Sequence, residues 1–187
     1  MEVLETNING CFEINPKLIY DSRGYFYESF NAARFREKTG LNIQFVQDNQ
    51  SFSERGVLRG LHLQKGIHAQ AKLVSVLKGK VLDVAIDLRK DSETFGQVYR
   101  TLLSEENKKQ LFIPRGCAHG FVVLSKTALF FYKCDNYYHK ASEAGIIYDD
   151  RDLGIDWQLA KDELIISDKD LVLPSFKDYI SEYSEVN

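Results

Sequence analysis

Cysteine is scarce: Cys11, Cys117 and Cys134 stand far apart in a chain of 187 residues. An odd number at such spacing is no disulfide framework and points to a reducing compartment. None has a CxxC partner, which argues against a zinc site. Long apolar runs are also missing. No stretch reaches the ~20 residues of a membrane span. Met1–Asn9 carries acidic residues and no long apolar core, unlike a signal peptide. These absences predict a cytoplasmic protein with no membrane partner. Basic charge is not in excess either: a formal net charge of −3 provides no global field for nucleic acid. An anionic ligand must therefore be held by a local cluster of Arg and Lys. No repeat, low-complexity tract or Pro/Gly-rich linker divides the chain, so residues 1–187 read as one domain, long enough to bury a sizeable core.

What is there reads mostly as short strands. Over 81–88, Leu82, Val84, Ile86 and Leu88 share one face, with Asp83 and Asp87 on the other. A strand over 72–77 precedes it, joined by a hairpin-like turn at Lys78-Gly79-Lys80. Segments 121–124 and 128–134 read as a second strand pair around Ser125-Lys126-Thr127, with Tyr132 on the face of Phe130 and Cys134. Helix is sparse. Asn31 is placed to cap a helix through Lys38 that Gly40 ends. Ser104 is placed to start another through Gln110, and the last ~25 residues look helical, polar and peripheral to the sheets. Many short strands with regular turns predict an all-β fold, a jelly-roll barrel or sandwich with a few short peripheral helices.

The histidines number four: His62, His68, His119 and His139. His119 ends Pro114-Arg115-Gly116-Cys117-Ala118-His119, the PxGxxH spacing of cupin barrels. There the Pro and Gly make a tight entry, and the following strand projects the imidazole into the barrel mouth. Metal cupins add an HxH pair and a glutamate. Here the matching place reads His62-Leu63-Gln64, and Gln64 is a poor metal ligand. A three-His site would have to recruit His68 or His139, which otherwise read as structural. No metal and no cofactor is expected, and an unligated His62 is free to act as a general base, since imidazole titrates at ~6.5. Among the cations, Arg59 and Lys72 fall on strands amid apolar neighbours, where an unpaired charge is costly. A diphosphate would pair with them; for Lys72, a salt bridge to Asp83 or Asp87 serves equally well. Tyr137 and Tyr138 suit either packing or stacking on a flat base.

Eight segments together resemble the dTDP-4-dehydrorhamnose 3,5-epimerase family: DSRGYFYESF (21–30), FVQDNQS (45–51), GVLRGLHLQ (56–64), AQAKLV (69–74), DVAIDLRKDSETFGQ (83–97), IPRGCAHGF (113–121), FYKCDNYY (131–138) and SDKD (167–170). The resemblance spans nearly the whole chain and implies a cupin-like jelly roll. It also implies a homodimer that exchanges N-terminal strands, and the substrate dTDP-4-keto-6-deoxy-D-glucose. It assigns His62 as base, Asp170 as the partner that orients it, Tyr132 as acid, and Lys72 as the group beside the C4 oxygen. His119 joins the same pocket. Arg59 would grip the diphosphate and Tyr138 would stack on thymine. Gln47, Asp48, Asn49, Glu143 and Lys169 match further substrate contacts. Phe26 lies with Arg23 and Glu28 in a segment that reaches the neighbouring subunit's site. The sequence departs from the family at Leu63 and Cys117, where aromatics are usual. Both border the expected pocket, leaving room for a relative that inverts C3 alone. A metal-dependent cupin enzyme and a nucleotide-binding module without chemistry are the competing readings.

Overall fold

The computed structural model describes residues 1–184, so the last three residues of the expected 1–187 domain lie outside the described part. Four short strands open the chain: β1 (Glu2–Glu5), β2 (Phe12–Asn15), β3 (Ile19–Asp21) and β4 (Gly24–Phe26). Helix α1 (Ala32–Thr39) follows. Next come β5 (Gln47–Glu54), β6 (Val57–Gln64), β7 (Lys72–Lys78) and β8 (Lys80–Asp87). They are succeeded by β9 (Val98–Ser104), β10 (Gln110–Ile113), β11 (Cys117–Val123) and β12 (Thr127–Cys134). Two short strands, β13 (Glu143–Gly145) and β14 (Ile165–Ile166), precede helices α2 (Asp168–Leu171) and α3 (Phe176–Ser184).

The strands form two facing sheets. One has the order β1-β2-β10-β7-β12-β5; the other runs β13-β6-β11-β8-β9, with β14 added in parallel beside β6. Strands β3 and β4 pair only with each other. Strand-rich layers with few short helices are the all-β architecture the sequence predicts. Between the sheets, Val74, Val76 and Phe130 of the first pack with Val81, Ala85, Phe121 and Val123 of the second. The outer face of the second sheet is covered as well. Leu82, Val84 and Ile86 lie under Ile146, Tyr148, Leu153, Trp157 and Tyr179. On the first sheet, Leu73 and Phe112 lie under Phe35 of α1. Helix α1 has the expected ends: the Asn31 side chain accepts from the Arg34 N–H, and Gly40 closes it at φ 73°. No helix among the described residues is long and apolar enough to cross a membrane.

Three expectations change. The turn at Lys78-Gly79-Lys80 joins strands of opposite sheets, since β7 pairs with β10 and β12 while β8 pairs with β9 and β11. Likewise β11 and β12 are consecutive but not paired. Both turns are corners of the sandwich, which is how a jelly roll closes. No helix starts at Ser104. The Ser104 N–H donates to Asn107 Oδ1 while Ser104 Oγ accepts from the Asn107 N–H. That reciprocal pair satisfies the local backbone in a tight turn and removes the incentive to wind a helix. Finally, the C-terminal segment is not wholly peripheral: β14 extends a sheet, Tyr179 is buried, and Asp170 is buried beside β6.

The alternation of β8 holds, with a consequence for the interior. Its apolar face, Leu82, Val84 and Ile86, points outward under the C-terminal layer. Its other face carries Val81, Asp83, Ala85 and Asp87 inward, and both aspartates are 0% exposed.

Candidate active site

A cavity of about 580 Å³ opens between the sheets. It is lined by Arg59 and His62 of β6, His119 and Phe121 of β11, Phe130 and Tyr132 of β12, and Lys72 of β7. Asn49, Glu143, Lys169 and Asp170 complete its polar wall, and Val57, Ile165 and Ile166 an apolar one. A smaller lobe of about 260 Å³ shares Asn49, His62, Lys72, Tyr132 and Glu143 with it and adds Gln47, Leu63 and Tyr138.

Strand periodicity alone would not put both Arg59 and His62 here, because residues three apart point to opposite faces. A bulge resolves this. His62 is opposite His119, but Arg59 is opposite Phe121, so three steps of β6 match two of β11. The extra residue restores both side chains to the cavity. Gly60 makes it possible. Its φ is +128°, and a Cβ there would sit 2.5 Å from the Gly120 Cα.

Two histidine–aspartate pairs face the cavity. His62 Nε2 lies 2.8 Å from Asp170 Oδ1, and Asp170 Oδ2 accepts from the Gly60 N–H at 3.3 Å. Burial pushes the Asp170 carboxyl up. The His62 hydrogen bond and charge, the Gly60 N–H and Lys169 outweigh it, and the net is below the usual carboxylate range. An ionised Asp170 accepts a hydrogen bond from Nε2–H, which leaves Nδ1 as the basic nitrogen. In the second pair, His119 Nε2 lies 2.9 Å from Asp83 Oδ2. Here burial dominates both partners: it drives His119 toward the neutral ring and Asp83 toward the protonated acid, each opposed by the other.

Tyr132 faces these imidazoles from the other sheet. Its register partners are Asn49 and Val74, and burial raises its phenol, so it stays protonated at neutral pH. Lys72 Nζ donates to the His62 carbonyl oxygen at 3.4 Å. Burial lowers its pKa against the opposing pull of Cys134, Asp83 and Glu143. Neither salt bridge weighed for Lys72 is formed, since Asp83 bonds His119 and Asp87 bonds Arg89. Arg59 Nε donates to Ser53 Oγ at 3.2 Å. Glu143 ties the rim, accepting from Tyr138 Oη at 3.1 Å and Lys169 Nζ at 2.8 Å.

Other expected residues lie elsewhere. Asp48 points to the opposite face of β5 from Asn49 and pairs with Lys133 at 2.8 Å. Arg23 is exposed against Asp21, Glu28 is exposed against Arg34 and Asn31, and Phe26 is exposed on β4; none lines the main cavity of its own chain. Cys117 does not border the cavity. It is buried near Asp87, because on β11 it precedes His119 by one inward step, away from the opening. His68 and His139 stack on each other at 4.0 Å and stay out of both lobes. Among the described residues, no group of three or more His, Cys, Asp or Glu side chains is arranged to hold a metal ion.

The residue most plainly missed is Asp83. Its signal was a carboxylate alternating, with Asp87, onto the inner face of β8 beside Val81 and Ala85, where a buried acid needs a partner.

The model of the dTDP-4-dehydrorhamnose 3,5-epimerase family matches residues 5–178. The dTDP-4-dehydrorhamnose 3,5-epimerase of Methanothermobacter thermautotrophicus is 51% identical over 168 residues, covering 89% of this chain and 90% of that protein. The crystal structure of the enzyme of that name from Elizabethkingia anophelis superposes with a TM-score of 0.93 at 58% identity, over 95% of this chain and 97% of the other. The dTDP-6-deoxy-D-glucose-3,5-epimerase of Legionella pneumophila, solved in complex with dTDP-4-keto-L-rhamnose, superposes with a TM-score of 0.91 at 49% identity, over 97% and 95% of the two chains.

Proposed function

The chain belongs to the dTDP-4-dehydrorhamnose 3,5-epimerase family, and on that premise we propose that it converts dTDP-4-keto-6-deoxy-D-glucose to dTDP-4-keto-L-rhamnose by inverting C3 and C5. The C4 ketone makes the hydrogens on both neighbouring carbons acidic. Epimerisation then needs a base on one face of the ring, an acid on the other, and a positive charge near the enolate oxygen. No electrons change hands, so these protein groups suffice and no cofactor is invoked.

In this reading His62 Nδ1 takes the proton, with Asp170 holding the ring and balancing the imidazolium. Lys72 sits by the C4 oxygen, and Tyr132 returns a proton to the opposite face, inverting the centre. Arg59 meets the diphosphate, Tyr138 the thymine, and His119, Gln47, Asn49, Glu143 and Lys169 other parts of the nucleotide sugar. The carrying observation is that His62 of one sheet, paired with Asp170 of α2, faces Tyr132 of the other sheet across one cavity that Lys72 also lines.

We assign residues 1–187 to one domain and to the cytoplasm, in keeping with three free cysteines. The protein acts as a homodimer with exchanged N-terminal strands. Ile19, Tyr20, Tyr25 and Phe26 stand exposed on the β3–β4 hairpin, apolar surface that a partner would cover. Arg23, Phe26 and Glu28 then reach the neighbouring subunit's site, while Asp48 is assigned with Gln47 and Asn49 to substrate contact. A monomeric mass by analytical ultracentrifugation would end that part of the proposal.

The deciding experiment is incubation with dTDP-4-keto-6-deoxy-D-glucose in deuterated water, followed by NMR. Deuterium should enter at C3 and C5 after exhaustive chelation. Label at C3 alone would make the protein a 3-epimerase, turnover restored only by added metal would make it a metal cupin enzyme, and dTDP binding without exchange would make it a binding module.

A further inference from the structure

Gln64 stands where a metal cupin would carry its second histidine, and the fold uses it otherwise. It closes β6, is 5% exposed, and its Oε1 accepts from the His139 backbone N–H at 3.0 Å. One residue earlier, the Tyr138 N–H donates to Oε1 of Gln47, which opens β5, also at 3.0 Å. Strands β5 and β6 belong to opposite sheets. The Tyr138–His139 peptide, which belongs to no strand, is therefore slung between the two layers by two amide oxygens. The connection after β6 adds further ties to the same segment. Gln70 Nε2 donates to the Asn136 carbonyl at 2.7 Å, Asn136 Nδ2 donates to the Ile67 carbonyl at 2.9 Å, and His68 stacks on His139 at 4.0 Å. What hangs on this mount faces the smaller lobe of the cavity. Gln47, Gln64 and Tyr138 all line it, and Tyr138 Oη is fixed at its far end on Glu143.

We propose that Gln64 is a positioning residue for nucleotide binding: it holds the His139 N–H and thereby sets the Tyr138 ring at the smaller lobe, where the ring meets a flat base. This rests on the reading above in which Tyr138 meets the thymine. Tyr138 is 52% exposed, so packing does not hold its ring; the backbone ties on either side of it and the Glu143 contact do. A ring already held by its backbone loses little freedom when a base stacks on it, and that saving appears as affinity. The residue type follows from the same geometry. A backbone N–H outside any strand needs an acceptor, and a neutral amide supplies one without a second negative charge beside Glu143, the register partner of Gln64 across β13 and β6. The amide cannot be reversed either, since Nε2 turned toward His139 would set donor against donor.

The test uses dTDP as the probe. Gln64→Met keeps the length of the side chain and removes the acceptor. We expect it to raise the Kd for dTDP about tenfold and KM in parallel, with kcat within about twofold of the wild type. In a Tyr138→Ala background the same substitution should cost less than about twofold, because the ring through which Gln64 acts is gone. A full penalty in that background, or an unmoved Kd in the wild-type one, would overturn the proposal. The second readout is hydrogen exchange at the His139 amide of the ligand-free protein, which should quicken about tenfold or more in Gln64→Met. An unchanged exchange rate would remove the tether on which the proposal stands. If wild-type protein bound no dTDP, the nucleotide reading would fail, and the His139 amide would still decide whether Gln64 holds the segment. Should Gln64→Met not fold, Gln64→Asn supplies both measurements, since its shorter side chain withdraws the oxygen from His139, and unmoved values there count against the proposal in the same way.

Discussion

Asp83 and Asp87 lie four residues apart on the same inward face of β8, both without solvent exposure, and they are built for opposite ends. Asp87 is saturated: Arg89 donates to both oxygens at 2.8 and 2.7 Å, and Ser92 and Thr94 hydroxyls each donate at 2.6 Å. Burial alone would raise its carboxyl, but the Arg89, Ser92 and Thr94 hydrogen bonds prevail and bring it down to about 2. Asp83 keeps one oxygen free and is pushed the other way. A fully partnered carboxylate fixes the chain locally. A half-partnered one, tied to His119 alone, is held by burial toward its neutral acid. The lesson is that burial and residue type do not fix the charge of an acid on one strand; the number of donors that reach it does.

The sharpest way to break this contrast is Asp87→Ala. It strips Arg89, Ser92 and Thr94 of their common acceptor and should cost about 3–4 kcal/mol of folding stability. Urea unfolding checks it, with exchange activity per folded molecule unchanged. A loss under ~1 kcal/mol, or a specific loss of activity, would erase the distinction. Next in size is His62→Ala at the cavity end. Deuterium exchange at C3 and C5 should fall at least ~10²-fold, about 2.7 kcal/mol of barrier, because the proposed base is gone. The stability cost should be smaller than for Asp87→Ala, since Asp170 retains the Gly60 N–H. The smallest effect is acid sensitivity. Asp87 is depressed in the fold relative to an unfolded value of ~3.9, so it contributes stability fully present above about pH 4 and lost as pH falls toward 2, about 2–3 kcal/mol. Asp83, raised in the fold, has the opposite sign: its contribution is present at low pH and lost as pH rises through its folded value. Urea midpoints between pH 2 and 5 should therefore fall less steeply for Asp87→Asn than for the wild type. Parallel slopes would contradict the assignment.

Much of this was legible along the chain. The ends of α1 were readable because Asn31 and Gly40 act locally, through one hydrogen bond and one left-handed residue. The β8 alternation was readable for the same reason. The partners of β8 were not: Lys78-Gly79-Lys80 suits a hairpin and a sandwich corner alike, and only packing between distant strands selects the corner. The turn after Ser104 was misread as a helix start because a serine that caps helices also closes tight turns. At the site, the His62–Asp170 pairing, 2.8 Å in space, joins residues 108 positions apart, so no local pattern encodes it and family resemblance alone suggested it. The absence of Cys117 from the cavity follows from its position on β11, invisible to motif reading.

One irregularity in β6 reaches further than its size suggests. Pulling the bulge flat with every residue kept would put Arg59 and His62, three positions apart, on opposite faces of β6 and swing one of them out toward the layer under Ile146 and Tyr148. The regularised strand would present a leucine to the sugar. In this barrel a perfect strand of the same length would be a silent one, so any side chain at Gly60 that forbids the bulge should be felt at Arg59 and His62 alike.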